Sequence, residues 1–158
     1  MATSDLIQYL GTGSGVSTGH RRTVETFLTG EAVTLGDALS LKLDATADGD
    51  KSLVVMKADT DAVGTMGFIG IALETQATVG GKVKVCIAGI CDANVDGACV
   101  AGSHLQIGAT GGRLNVVAAL TITDNATTGV AISLYPIVGI ACEADSSNIA
   151  TIFVRRQF

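Results

Sequence analysis

Carboxylates, histidines and cysteines are the residue types from which this 158-residue chain would build chemistry, and they are few. Glu74 and Glu143 are the only carboxylates placed alike in two similar stretches of the chain. Paired carboxylates at a suitable separation do acid–base work in hydrolases. Their duplication favours a structural role instead, in which each ends an equivalent strand and accepts turn amides or an interface arginine. His20 lies beside a glycine-rich stretch and His104 within a strand-like segment, and no histidine–carboxylate–nucleophile set accompanies either. The sequence therefore assigns no catalytic residue.

Metal chemistry fares no better. Asp92-Ala93-Asn94-Val95-Asp96-Gly97 matches the first half of a calcium loop. The bidentate glutamate required at position twelve falls on Ser103. Asp44 to Asp50 is a looser version with the same defect. Asp, Asn and Gly are also what tight turns need, so both segments read as turns. Cys86, Cys91 and Cys99 contain no paired C-x-x-C, and His104 would have to be the fourth ligand of a zinc site. Gly11-Thr12-Gly13-Ser14-Gly15 lacks the strand, helix and lysine of a phosphate loop. Neither a metal nor a cofactor is expected. Cys91 and Cys99 flank a turn-rich segment and are a candidate disulfide across a hairpin. Cys142 stands where Leu73 stands in the other stretch and reads as a small core hydrophobe.

The elements that would position these residues are β-strands. Phe68-Ile69-Gly70-Ile71-Ala72-Leu73-Glu74 recurs 69 residues later as Ile137-Val138-Gly139-Ile140-Ala141-Cys142-Glu143. The pattern stays in step through Val83-Lys84-Val85 and Ile152-Phe153-Val154. A second echo, Thr34 to Leu41 against Val100 to Ile107, has an offset of 66. Self-similarity of this kind reports one supersecondary unit used twice. Short alternating, β-branched segments separated by Gly and Asp turns predict an all-β small barrel or sandwich built from a duplicated β-unit. Gly70 and Gly139, inside strands, predict a bulge or a close backbone approach. Pro136, the only proline, stands where the second repeat strand begins. Ala58–Ala62 and Leu73–Ala77 have room for a helical turn each.

Residues 1–22 read as an extended, flexible N-terminal arm, and residues 23–158 as a single β-domain with repeats at about 31–90 and 97–158. Only 16% of residues are charged and 47% are hydrophobic, with 20 glycines. Exposed apolar surface on that scale marks a face meant to be covered. The net charge of -5 argues against nucleic acid, which needs a concentrated basic face. No apolar run is long enough for a membrane helix, and the N-terminus lacks the regions of a signal peptide. Tyr9, Arg21, Arg22, Phe27, Arg155 and Arg156 are the candidate contacts to other subunits or to a larger assembly.

The segments Glu25–Val33, Gly36-Asp37-Ala38-Leu39 and Ile69–Glu74, followed by Val83-Lys84-Val85 and by a second copy at Val138–Glu143, resemble the head decoration (capsid cement) proteins of tailed bacteriophages. The likeness covers roughly residues 23–158, and the Cys91–Cys99 segment departs from it. It implies a compact β-barrel-like fold that trimerises on the outer surface of the virion head. There it would bind the major capsid protein and stabilise the DNA-filled shell, after synthesis in the host bacterial cytoplasm. The alternative from another class is a trimeric tail or receptor- or carbohydrate-binding β-module. Such a module should carry aromatic platforms, yet tryptophan is absent and Tyr9 and Tyr135 are the only tyrosines.

Overall fold

Alternation of β-branched and small apolar residues with polar ones makes strands that bury one face, and nine of them form among the described residues. The computed structural model describes residues 22–43, 53–60, 67–117 and 137–155. The arm before Arg22, the candidate contacts Tyr9, Arg21 and Arg156, and Pro136 lie outside the described residues. The strands are β1 (Arg22–Thr29), β2 (Ala38–Leu41), β3 (Val54–Lys57), β4 (Phe68–Ala72), β5 (Lys82–Asp96), β6 (His104–Ile107), β7 (Leu114–Val116), β8 (Gly139–Ala141) and β9 (Ile149–Val154).

Hydrogen-bonded neighbours trace two closed circuits. The first runs β1-β3-β2-β4-β5 and returns to β1 through the β1–β5 ladder. The second runs β5-β7-β6-β8-β9 and returns to β5. Closure removes exposed strand edges, which are the usual liability of a sheet. Each ring also has the same parallel pair, β1 with β3 and β5 with β7. The protein is all-β, and its two rings are copies of one plan.

β5 belongs to both rings. Val83, Val85 and Ile87 point into the first core, with Phe27, Val33, Leu39, Val55 and Ala72. Cys91, Ala93 and Val95 point into the second, with Leu105, Ile107, Leu114, Ile152 and Val154. Period-two alternation cannot serve both cores without a phase change, because a one-residue slip turns every side chain to the other face. The phase change sits where the β1–β5 register shifts, opposite Thr23 and Val24, next to Gly89 with φ 104°. Across this bulge the outside of the first ring becomes the inside of the second. Ala38, Ala58, Phe68, Ile71 and Cys86, on the first ring's strands and loops, therefore join the second core.

The repeat is visible in individual hydrogen bonds. Gly36 and Gly102 both have φ 86°. The Gly36 N–H donates to Ala72 O at 2.9 Å and the Gly102 N–H to Ala141 O at 2.8 Å. The next residue in each turn accepts in return, Asp37 O from Ala72 N and Ser103 O from Ala141 N.

The structure corrects three expectations. Asp92–Asp96 is strand rather than turn, because Cys91, Ala93 and Val95 alternate inward, and the chain turns only at Gly97 (φ 84°). β5 runs unbroken from Lys82 to Asp96 and so spans the interval between the two repeats. Val85 corresponds to Ile152 and not Val154, because Ala72 faces Val85 where Ala141 faces Ile152. A two-residue slip keeps the same side chains inward, so alternation alone does not detect it. Leu73–Ala77 holds a bend and the Val33–Gln76 bridge, where Val33 and Gln76 exchange backbone hydrogen bonds, in place of a helical turn.

Candidate interaction surface

The two glutamates anchor equivalent strand ends. Glu74 Oε1 accepts the Lys84 N–H at 2.9 Å, and Glu143 Oε1 accepts the Thr151 hydroxyl at 2.6 Å. Lys84 and Thr151 are themselves counterparts, since their carbonyls accept from Leu73 N and Cys142 N. Gly70 and Gly139 lie earlier in the same motifs, within β4 and β8 themselves. A Cβ on Gly70 would land on the Cys86 carbonyl oxygen, and one on Gly139 would stand 2.9 Å from the Phe153 carbonyl oxygen. The two motif strands thus cross their partners at a distance only glycine permits.

The acidic run on β5 is spread along a strand. Asp92 Oδ1 shares the single Thr151 hydroxyl proton with Glu143, at 2.9 Å, and Asp96 Oδ2 accepts the Thr110 hydroxyl at 2.6 Å. Alternate residues on one face of a strand stand almost 7 Å apart and do not converge on a small cation. Among the described residues no cluster of three or more His, Cys, Asp or Glu is placed to hold a metal.

Cysteine geometry also differs from expectation. Cys91 lies inside β5, so no hairpin sets it opposite Cys99, and all four thiols are free. The thiol beside Cys91 is Cys86, brought to the same face by the bulge. Their hydrogen bond, followed by burial, pushes the Cys91 thiol up and favours the Cys86 thiolate. Burial also raises Cys99. Cys142 is exposed rather than core, because it follows the last inward residue of β8 while Leu73 is half-buried against the core.

Sequence reasoning passed over the most elaborate polar cluster, which ties the rings together. Asp37, 4% exposed, accepts the Thr34 N–H at 2.8 Å and the Asn94 side-chain amide at 2.9 Å, with Lys57 Nζ at 3.6 Å. Asn94 also donates its backbone N–H to Gly36 O. Gly112, from the β6–β7 turn, accepts from Ala38 N and donates to Ala58 O. A buried carboxylate is tolerated only with such partners. The available signal was Gly36-Asp37, which reads as an ordinary turn until Asn94 is known to be on a strand.

The candidate contacts separate in the structure. Phe27 is a correction: it is buried in the first core and offers nothing to another subunit. Arg22 is half-buried at the start of β1, opposite Gly89, and Arg155 is exposed just after β9. Beside them, on the outside of the second ring, Ile140, Phe153 and Ile90 pair across β8, β9 and β5 in one row. Phe153 is 46% exposed there. His104, exposed, extends the row on β6. This is an apolar stripe bounded along the strands by Asp92, Thr151 and Glu143 on one side and Arg155 on the other.

No known family model matches the chain, and neither does any curated protein sequence. Among solved structures the chain is similar to the N base of the head fiber gp8.5 of bacteriophage phi29. The two share 13% sequence identity at a TM-score of 0.50, over 85% of this chain and 94% of that one. At that identity the likeness is one of fold: nearly the whole of that base and most of this chain follow the same all-β plan.

Proposed function

We propose that this chain is a structural protein of a tailed-phage virion, a head decoration protein that binds the outer surface of the major capsid lattice as a trimer. The observation that carries the reading is the fold shared with a phage head-fiber base across 85% of the chain. The site chemistry agrees with it. Glu74 and Glu143, Asp92 and Asp96, and Asp37 all spend their carboxylates on hydrogen bonds that hold strands and turns together. Such a protein acts by linkage, stabilising the assembled shell by the difference between its affinity for the lattice and for free subunits. Several joined copies add avidity that a single contact does not give.

The test is co-sedimentation of the full chain with expanded, DNA-free heads of the parent phage, read against reconstruction of the virion. Binding to shells, with density on the head surface, is the expected result. Density confined to the tail would replace this reading with the receptor-binding one.

A further inference from the structure

The junction between the rings has two sides, and each has an uncovered counterpart elsewhere in the molecule. On the first-ring side, Ala38, Ile71 and Cys86 form one row across β2, β4 and β5, all fully buried in the shared core. Their counterparts on β6, β8 and β9 are His104, Ile140 and Phe153, completed on β5 by Ile90. That row lies outside the second ring, with Ile90 and Ile140 half-buried and His104 and Phe153 exposed. On the second-ring side, Gly89 and Cys91 are buried, Cys91 beside the Cys86 thiol of the first row. The ladders place Thr23 and Glu25 of β1 in the equivalent positions, since Glu25 faces Val85 as Cys91 faces Ile152. Thr23, Val24 and Glu25 are all exposed. The same strand positions are thus covered where a second ring packs against them and bare where none does.

We propose that the outer row of the second ring, Ile90, Ile140 and Phe153, docks onto the Thr23–Glu25 segment in the first ring of a second copy of this chain. The occupant follows from the interior junction, where the equivalent row is covered by a ring of the same plan. Side-chain chemistry differs while placement is kept. Phe153 takes the position of Cys86 and supplies an aromatic anchor of the kind that dominates interfaces. Arg155, just past the end of β9 and two residues on from Phe153, supplies a charge complementary to Glu25 of the second copy. The contact joins unlike patches, so it is heterologous and generates a closed ring where its rotation closes. This deepens the self-association in the proposed function and does not depend on a capsid partner.

The experiment is sedimentation velocity on the full chain over a concentration series, with Phe153→Asp, Arg155→Glu, Glu25→Arg and the double charge swap. Wild type is expected to self-associate. Phe153→Asp should weaken association at least about thirtyfold, as loss of an interface anchor does, and still unfold cooperatively. Arg155→Glu alone should weaken it, and adding Glu25→Arg should restore it. A wild type monomeric at millimolar concentration overturns the proposal, as does a folded Phe153→Asp that associates like wild type. Should Phe153→Asp not fold, the exposed charge pair decides, and absence of rescue overturns it. Shell co-sedimentation of the same variants separates the two readings. Loss of shell binding by Phe153→Asp with unchanged self-association would give the row to the capsid. Failure of wild type to bind shells while it self-associates would sink the decoration role alone.

Discussion

Gly70 shows how much one missing methyl group decides. Its strand passes so close to β5 that a Cβ would clash with the Cys86 carbonyl oxygen, and backbone atoms in a closed ring do not move aside easily. Gly70→Ala should therefore cost about 3 kcal/mol or more, within the range for overpacked and strained core sites. Gly139→Ala, where the gap is 2.9 Å, should cost less. Denaturant midpoints of the two variants check the order, and equal midpoints would contradict it. The thiols give a second residue-scale test. Cys142 is exposed, whereas Cys86, Cys91 and Cys99 are buried. Native protein at neutral pH should titrate one thiol with an aromatic disulfide reagent, and the unfolded chain all four. Cys91 and Cys99 hold their protons more tightly folded than unfolded, so the stability they contribute is complete below the usual thiol pKa of 9.0. It falls as pH rises beyond that value, because the unfolded chain then gives up protons the native state retains. A reagent that modified three or four thiols in the native protein would show that these sites open readily.

At the scale of elements, β5 explains both what the sequence made legible and what it hid. The Gly-Ile-Ala strands, their glutamates and the Gly36 and Gly102 turns were readable because each is a local pattern repeated with the same chemistry. The all-β class followed from alternation and turn spacing, which are also local. What was missed depends on the middle of β5. Asp92, Asn94 and Asp96 look like turn residues, yet three small inward residues, Cys91, Ala93 and Val95, hold them in a strand. The outward acids then find partners only through distant residues, Thr151, Thr110 and Arg113. The bulge beside Gly89 is equally silent in sequence, because its effect is to switch which core the strand feeds. The burial of Phe27 is hidden for a related reason. An aromatic near the chain's start reads as an available contact until the first ring closes around it.

For the whole molecule, two copies of one plan suggest two independent domains, and the packing says otherwise. β5 supplies a strand to each ring, so neither ring closes without it. The second core also takes Ala38, Ala58, Phe68, Ile71 and Cys86 from the first ring, and Asp37 with Asn94 adds a buried polar tie. Repeats whose interface is part of one repeat's own core should unfold together, unlike solenoid units whose stability is a sum of separate terms. Phe68 tests this, because it is carried by a first-ring strand and is 2% exposed within the second core. Phe68→Ala should lose about 3–5 kcal/mol, the usual cost of removing a buried aromatic. Hydrogen exchange should then accelerate to a similar extent in β2 and in β9, the far strand of the other ring, and calorimetry should keep a single transition at lower temperature. Faster exchange confined to β6–β9, or a thermogram split in two, would mean that the rings are separate folding units joined by a long strand.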